Sequence, residues 1–460
     1  MPESVWMDWD PLDELQPPQW LIPADQRRRL KALLVLGLVW GTVSLLHWVE
    51  SGHWLVWGLA FLMAGHVLRL SVGQPLPQPD LLELEREAGV GDPLPAAVRL
   101  PQVSILIPAK NESAVLPRLL ESLNQLDYPT QHLDIWVIDD GSSDDSFAIV
   151  SRYQSQMPHL RLHQRPPGSQ GGKSGALNEV WPQTAGEIIL VCDADAQLPN
   201  NFLRQALPSF RVSAHAKRPV GAVQVQKAIS NAEQNFWTRQ QRAEMAYDSY
   251  IQRQRIAIGG IGELRGNGQL VRRDVLKKCG GWNEATVTDD LDLTFKLHLA
   301  GIDIAFVVDV AVQEEGVTHW QALWHQRSRW AEGGYQRYLD YGLRLLHHLS
   351  PGKSVDLLLF FISQYLMPMA LIPDLAWNLF YSHHSVLAPI GIVMAATVIG
   401  GFTAGLSQIH QRRGWRLIRD LSLGLLYMLH WIPVMIVTTS RMCIQPKRLK
   451  WVKTVHQGSP

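Results

Sequence analysis

The chain has 460 residues, and its 42 Lys+Arg balance its 42 Asp+Glu, so its formal net charge is zero. This balance removes the overall positive field expected of a nucleic-acid-binding protein. Charged residues make up 18% of the chain, below the roughly 25% that is typical of soluble proteins. Three cysteines far apart in the sequence fit neither a disulfide framework nor a zinc site. We therefore expect no nucleic-acid partner and a reduced compartment.

The first apolar part of the chain predicts a transmembrane hairpin over residues 30–70, after a tail at residues 1–29. Residues 32–49 and 51–68 carry no charge, and each is long enough to cross a hydrocarbon core of about 30 Å. Basic residues stand before the first stretch and after the second, which predicts that both flanks are cytoplasmic. The alternative is a buried hairpin in a soluble core.

The rest of the chain divides by composition. A Pro-rich linker is predicted at 71–101, a soluble catalytic domain at 102–318 and amphipathic interfacial helices at 319–354. Apolar sequence returns at 355–440, enough for two or three helices, and a basic tail occupies 441–460. Basic residues at 412–416 and in the tail both predict cytoplasmic positions. Three full spans cannot satisfy both, so we expect one segment to be interfacial or re-entrant.

The sequence of the predicted catalytic domain is typical of a mostly parallel α/β sheet. Short apolar runs at Val103–Pro108, Asp134–Ile138 and Glu187–Cys192 alternate with helical patterns. Acidic residues follow the second and third runs, as Asp139-Asp140 and Asp193-Ala194-Asp195. Ligands of such sheets bind outside the carboxyl ends of the strands. Each acidic pattern is weak alone, because Asp-Gly-Ser also forms turns and Asp-x-Asp is common.

Together, in order, these patterns carry a resemblance. The chain resembles glycosyltransferase family 2, the inverting GT-A group that includes cellulose, chitin and hyaluronan synthases. The Gln326–Trp330 stretch matches the family's Gln-x-x-Arg-Trp signature. The other matching stretches are Val103–Ser113, Asp134–Asp144, Gly171–Asn178, Asp193–Asp195 and Thr288–Asp292. The resemblance implies an α/β GT-A cytoplasmic domain, with α-helical transmembrane segments at both ends of the chain.

The resemblance also implies how a UDP-sugar donor is held. The nucleotide pocket would be formed by Ala109, Glu112, Asp139 and Asp140, with Asp139 against the uracil. Asp193 and Asp195 would share the ribose and a Mg²⁺ or Mn²⁺ ion, an oxygen-preferring Lewis acid for the diphosphate. Lys173 lies in a glycine-rich loop before a helix, where it can meet phosphate. Its alternative is a solvated loop lysine.

An inverting transfer needs one base to take the proton of the acceptor hydroxyl. Thr288-Asp289-Asp290 occupies the place of the family's Thr-Glu-Asp motif, which implies that Asp290 is the base. The alternative is that Asp290 caps the following helix. We expect Asp292 to be structural, because helix geometry turns it away from Asp290, and Cys192 to belong to the core.

By the same resemblance, three residues of the interfacial helix complete the catalytic set. Arg329 would face the diphosphate, while Gln326 and Trp330 would shape the acceptor end. The alternative is a helix whose aromatic residues only anchor it at the level of the lipid headgroups. Both interpretations can hold together.

The acceptor is a separate question. The small number of predicted spans, the many tryptophans and the five glycines of Gly259–Arg272 resemble cyanobacterial members that transfer glucose from UDP-glucose to 1,2-diacylglycerol in the bilayer. The glycines suggest close backbone approach of a ligand, or a mobile loop. The alternatives are a processive polysaccharide synthase and a non-catalytic membrane scaffold. We expect a multi-pass protein of the plasma or thylakoid membrane whose catalytic domain is cytoplasmic, in contact with membrane lipids.

Overall fold

The computed structural model describes residues 24–75, 100–214, 218–381 and 384–445. Most of the predicted N-terminal tail, of the predicted linker and of the predicted basic tail therefore lies outside the described residues. The account below concerns the described ranges.

A seven-stranded sheet forms the centre of the soluble part, and its buried apolar strands explain why it forms the core. Its order is β3-β2-β1-β4-β6-β5-β7. The only antiparallel strand among the described pairings is β6, so the predicted mostly parallel sheet is confirmed. The strands are β1 (Val103–Ala109), β2 (Leu133–Asp139), β3 (Leu160–Gln164), β4 (Ile188–Val191), β5 (Val220–Ile229), β6 (Gln269–Arg272) and β7 (Asp303–Glu314).

Helices cover both faces of this sheet, and side chains of alternate strand positions enter a separate apolar cluster on each face. Ile105 and Ile107 of β1 pack in one cluster, and Leu106 packs in the other. The helices of this part are α3 (Leu116–Asn124), α4 (Ser146–Gln154), α5 (Gly172–Val180), α6 (Phe202–Ala206), α7 (Phe236–Ala257), α8 (Arg273–Lys278), α9 (Asp289–Leu299) and α10 (Trp320–His348).

Apolar helices lie at both ends of the chain. They are α1 (Ala24–Trp48), α2 (Gly52–Val72), α11 (Pro351–Phe361), α12 (Met367–Tyr381), α13 (Ala388–Gln408), α14 (Gly414–Met428) and α15 (Trp431–Ile444). A π-helical turn, Ile362–Leu366, joins α11 to α12. Five segments of the described chain are long and apolar enough to cross a membrane: Gln26–Trp48, Gly52–Val72, Pro351–Tyr381, Ala388–Gln408 and Gly414–Ile444.

Both ends of the N-terminal hairpin contact the side of the catalytic domain. Arg28, near the start of α1, forms an ion pair with Asp340 of α10 at 2.6 Å. Arg69, near the end of α2, donates a hydrogen bond to the carbonyl oxygen of Ile258 at 2.7 Å. The two flanks of the hairpin are therefore both held against the part of the chain that follows the predicted linker.

The last apolar segment, 414–444, also returns to the catalytic domain. His410, just before it, makes a hydrogen bond of 3.3 Å to the carbonyl oxygen of Arg242 in α7. Arg441, near its end, forms an ion pair with Glu332 of α10. The segment bends between α14 and α15, where Trp431 donates a hydrogen bond to Glu244 at 2.8 Å. Both ends of this segment, and the bend within it, therefore lie against helices α7 and α10.

Candidate active site

The predicted nucleotide residues lie at the carboxyl ends of β1 and β2. Ala109 and Asp139 are paired in register at these two ends. The Asp139 side chain is only 2% exposed, and its Oδ1 accepts a hydrogen bond from the Ser142 N–H at 3.0 Å. Its other oxygen, Oδ2, has no partner among the described residues. A buried acceptor without a donor is costly, so Oδ2 is suited to an N–H group of a ligand.

A single cavity of about 1520 Å³ collects most of the predicted site. Asp139 is not among the residues that line it, although its neighbour Asp140 is. Ten of the eleven predicted site residues line this cavity: Ala109, Glu112, Asp140, Lys173, Asp193, Asp195, Asp290, Gln326, Arg329 and Trp330. Residues spread over more than 200 positions of sequence thus face one space.

Lys173 and Asp193 form an ion pair across the cavity wall, with 2.6 Å between Nζ and Oδ1. Burial acts to raise the pKa of the Asp193 carboxyl, but the Lys173 ammonium outweighs it, and the pKa is held below its usual value. The Asp193 N–H donates to Oδ1 of buried Asn267 at 3.2 Å. Lys173 therefore lines the cavity as an ion-paired residue in the first turn of α5, and not in the loop before this helix as the sequence suggested.

Asp195 is 7% exposed, and its Oδ2 accepts a hydrogen bond from the Glu315 N–H at 2.9 Å. Within the described ranges, no group of three His, Cys, Asp or Glu side chains is placed to hold a metal ion. Two carboxylates on the cavity wall still fit a Mg²⁺ or Mn²⁺ ion, because Mg²⁺ is commonly bound by one or two carboxylates together with substrate phosphates and water. The residues therefore fit a metal that arrives with a diphosphate.

Asp290 lies in the first turn of α9 and faces the cavity. Burial raises the pKa of Asp290 to about 6, and the Asp289 carboxylate beside it adds to the shift, while Lys173 opposes it. A pKa near the working pH is what a general base needs. The N-cap position of α9 belongs to Thr288, so Asp290 is inside the helix and is not its cap.

Arg329 projects from α10 toward the acidic residues. Among the described residues it makes no hydrogen bond or ion pair, yet it lines the cavity together with Asp193 and Asp290. Burial lowers the pKa of the Arg329 guanidinium, and the two aspartates oppose this shift. An arginine next to carboxylates without direct contact to them leaves its fork of N–H donors available for phosphate oxygens.

The other two predicted residues of α10 are arranged around Arg327, which sequence reasoning missed. Arg327 is fully buried, pairs with Glu244 of α7 and lies 4.0 Å from the centre of the Trp330 ring. Its guanidinium also donates to Oε1 of Gln326 at 2.9 Å. The Gln-x-x-Arg-Trp stretch is therefore anchored from inside the fold. One signal for Arg327 was present in the sequence, because this basic residue lies inside the motif.

Arg165 is a second residue that sequence reasoning missed. It is 4% exposed and forms an ion pair with Asp140, and it donates a hydrogen bond to the Gln170 carbonyl at 2.8 Å. It therefore connects the nucleotide pocket to the residues just before α5, the helix that carries Lys173 in its first turn. No motif in the sequence marks this arginine.

Two residues that were expected to be structural are so. Oδ1 of Asp292 accepts hydrogen bonds from Asn283 at 2.9 Å and from the Tyr341 hydroxyl at 3.1 Å. Cys192 is fully buried in one of the two clusters of the sheet. Neither residue is among those that line the cavity.

Some glycines of the Gly259–Arg272 segment are in close contact with other parts of the catalytic domain. A Cβ on Gly262 would lie 2.5 Å from the carbonyl oxygen of Ile304, and one on Gly268 would lie 2.7 Å from a methyl group of Val312. Gly266, at φ +84°, is the glycine of this segment beside the base, since its Cβ position would be 3.5 Å from Oδ2 of Asp290. Close packing of the backbone therefore requires glycine at Gly262 and Gly268.

Comparison with known proteins gives the class of the chain. The profile described as "Glycosyltransferase like family 2" matches residues 101–333. The chain belongs to this glycosyltransferase family, which confirms the prediction of a family 2 enzyme. A mannosyltransferase from Pyrobaculum calidifontis, PcManGT, solved in complex with GDP-Man and Mn²⁺, shares the fold at a TM-score of 0.51 and 18% identity, over 91% of this chain and 99% of its own. The predicted GT-A fold is confirmed.

Two relatives resemble the chain over nearly its whole length. One, from Trichormus variabilis, is named beta-monoglucosyldiacylglycerol synthase and is 45% identical over 100% of both chains. The other, from a Synechocystis species, has the same name and is 45% identical over 93% of this chain and 88% of its own. The similarity therefore extends beyond the family domain into the apolar helices at both ends.

Proposed function

We propose that the protein transfers glucose from UDP-glucose to 1,2-diacylglycerol with inversion at the anomeric carbon, giving beta-monoglucosyldiacylglycerol. The observation that carries this proposal is the full-length similarity to two enzymes of that name. The cavity supports it, because the same space is lined by the carboxylates of the sugar-transfer site and by apolar residues of the terminal helices. A lipid acceptor needs carboxylates near its reacting hydroxyl and apolar residues around its acyl chains.

The donor would lie across the carboxyl ends of β1, β2 and β4. Oδ2 of Asp139, a buried acceptor without a partner in the described chain, would receive the N–H of the uracil ring. Lys173 and Arg329 would hold the diphosphate by charge. A Mg²⁺ or Mn²⁺ ion held by Asp193 and Asp195 would neutralise the leaving UDP as a Lewis acid.

Asp290 would act as the general base. Its position at the cavity wall and its raised pKa, about 6, suit a carboxylate that takes the proton of the diacylglycerol hydroxyl as the hydroxyl attacks the sugar. Arg327 and Glu244 would act through their ion pair. They would position α10, so that Arg329 and Trp330 face the donor and the acceptor.

We further propose that the catalytic domain faces the cytoplasm. Both ends of the N-terminal hairpin contact the catalytic side of the protein, through Arg28 and Arg69, and basic flanks favour the cytoplasm. Protease treatment of sealed right-side-out vesicles tests this directly. Cleavage of the 102–318 region from outside would contradict it.

The proposed reaction is tested with purified protein, dioleoylglycerol and labelled UDP-glucose or UDP-galactose. We expect one labelled, lipid-extractable product from UDP-glucose, with a β-linked sugar by NMR. A labelled polymer that stays in the aqueous phase would instead indicate a polysaccharide synthase. Label transfer from neither donor would contradict the proposal, provided that the same protein binds UDP.

A further inference from the structure

The cavity is larger than its donor site requires. Its volume is about 1520 Å³, whereas sites that hold one small ligand usually measure about 300–1,000 Å³. The part without catalytic carboxylates is lined by helices at the two ends of the chain, among them α2, α13, α14 and α15. We call this part the apolar arm. The arm and the catalytic carboxylates belong to one continuous space.

Several of the residues that line the arm have the spacing of one helix face. On α2 they include Met63, Val67 and Leu70, which follow the i, i+4, i+7 pattern of one face. On α13, Met394 and Val398 are four residues apart in the same way. Apolar faces on membrane helices normally turn to lipid or to a neighbouring helix. Here they turn to a cavity that reaches the active site.

A second stripe completes the arm from the opposite end of the chain. Leu425 of α14, Leu429 of the turn that follows it and Ile432 of α15 also line the cavity. Side chains from both terminal regions thus form the walls of one apolar space. Such walls offer nothing to a nucleotide or a sugar, because neither can replace its hydrogen bonds to water there.

Charged residues lie between the arm and the base. Arg265, which lines the cavity, directly precedes Gly266, the residue beside Asp290. Arg265 pairs with Asp248 at 2.9 Å. Farther toward the membrane helices, Arg255 pairs with Asp356 at 2.9 Å, and Asp356 also contacts His66 of α2 at 3.2 Å. Here His66 shares a helix face with Met63 and Leu70.

We propose that the apolar arm binds an acyl chain of the acceptor lipid, with the ester end of the lipid at these charged residues and its free hydroxyl at Asp290. This inference rests on the proposed function, in which the acceptor is a diacylglycerol. The cavity offers a carboxylate, ion pairs and apolar walls, and the lipid carries a hydroxyl, esters and hydrocarbon, so each part of the lipid has a surface of matching chemistry.

The arm would orient the lipid more than it would attract it. An acyl chain in a bilayer is already in hydrocarbon, so moving it to an apolar cavity gains little transfer free energy. What the arm supplies is alignment of the hydroxyl with the base, which is the kind of positioning that accelerates a reaction between two bound substrates. Blocking the arm should therefore affect the lipid and leave the donor alone.

Two neighbouring alanines of α13 provide a matched test. Ala395 lines the cavity, whereas Ala396 is not among the lining residues, and both are exposed small side chains. Ala395→Phe and Ala396→Phe are assayed in detergent micelles with saturating UDP-glucose and diacylglycerols of increasing chain length. We expect Ala395→Phe to raise the KM for dioleoylglycerol roughly tenfold or more and to favour shorter chains. Ala396→Phe should match the wild type.

A second substitution, in α14, keeps the proposal testable if Ala395→Phe fails to fold. Leu425→Ala enlarges the arm, and Leu426→Ala removes the same atoms from a neighbour that is 61% exposed and is not a lining residue. We expect Leu425→Ala alone to shift the preference toward longer or bulkier chains. UDP binding, measured by calorimetry, should be unchanged in all four variants.

The outcomes separate the two proposals. If the wild type glucosylates diacylglycerol, and Ala395→Phe and Leu425→Ala show the same chain-length profile as their controls, the arm is not the acyl site. If the wild type binds UDP but makes no lipid product from any diacylglycerol, the proposed function itself fails. A chain-length shift confined to the two lining positions supports the acyl site.

Discussion

Gly333 of α10 lies so close to Thr288 that a Cβ on the glycine would be 2.1 Å from the threonine hydroxyl oxygen. Thr288 directly precedes the acidic pair that contains the base, and Gly333 follows Trp330 by one turn of α10. The contact therefore joins the helix that carries Arg329 to the turn that carries Asp290. Only a residue without a side chain allows this approach.

Gly333→Ala is expected to lower both the thermal midpoint and kcat. Overpacking costs typically about 1–3 kcal/mol, more than the gain of up to about 1 kcal/mol from replacing a helical glycine. Gly342→Ala in the same helix is the control, because its Cβ would have only Tyr338 atoms nearby, at 3.9 Å. It should leave activity unchanged and stability equal or higher.

The double variant Thr288→Ala/Gly333→Ala should recover part of the lost stability and kcat, because the threonine hydroxyl and methyl groups are then absent. Equal thermal midpoints and kcat values in Gly333→Ala and Gly342→Ala would contradict the clash.

Asp195→Asn is expected to abolish most metal-dependent activity. Loss of one charged oxygen ligand removes transition-state stabilisation of several kcal/mol, a rate loss on the order of 10² or more. Activity is titrated with Mg²⁺ and Mn²⁺ after chelation by EDTA, and metal binding is measured in the presence of UDP. Asp274→Asn, at an aspartate whose side chain is 69% exposed, is the control. Full wild-type turnover in EDTA would contradict the metal assignment.

Asp290→Asn should separate catalysis from stability. As the base, Asp290 acts mainly in the transition state, so kcat should fall on the order of 10² or more while UDP affinity stays near wild type. Because the folded pKa is raised to about 6, the ionised carboxylate destabilises the fold above that pH. The neutral variant should therefore unfold at the same or a higher temperature at pH 8. A near-normal single-turnover rate would exclude Asp290 as the base.

The pH dependence of kcat/KM should show an acidic limb near pH 6. Asp290 must be ionised to accept a proton, so activity falls as the pH drops through its pKa of about 6. The Asp289 carboxylate contributes to the raised pKa. Asp289→Asn should therefore lower the pKa of Asp290 and move the limb to lower pH. A limb at the same pH in this variant would mean that another group titrates.

Asp139→Asn is expected to weaken UDP binding with little effect on folding. One oxygen of Asp139 already accepts the Ser142 N–H, and the other is the proposed acceptor for the uracil. An amide can accept at only one of these positions, so we expect a loss of affinity of roughly tenfold. Calorimetry with UDP measures it. Asp309→Asn, at an exposed aspartate of β7, should bind UDP normally, and equal affinity in both variants would contradict the assignment.

Much of the fold follows from local sequence, because local signals are strong there. The apolar runs of β1, β2 and β4 are short and bounded by polar turns, and the long charge-free stretches could only be buried or membrane helices. The acidic residues after β2 and β4 were assigned to a common edge, because parallel strands end at the same edge of a sheet. The resemblance to the family was inferred from the order of the motifs along the chain.

The long-range contacts of the site could not be read from the sequence. Nothing local indicates that Arg165 would pair with Asp140, or that Arg327 would be buried against Glu244, 83 positions earlier. A lone arginine has the same local pattern on a surface as in a core. The role of such an arginine depends on which distant carboxylate lies next to it after folding. Tertiary packing determines that partner.

The class of enzyme, the order of the elements and ten of the residues that line the cavity could be predicted from the sequence. Tertiary structure alone decided that this cavity continues between α2, α13, α14 and α15, and that Gly333 must be a glycine. The physical reason is that motifs record local chemistry along the chain, whereas a shared cavity and a close helix contact exist only after segments from opposite ends have packed together.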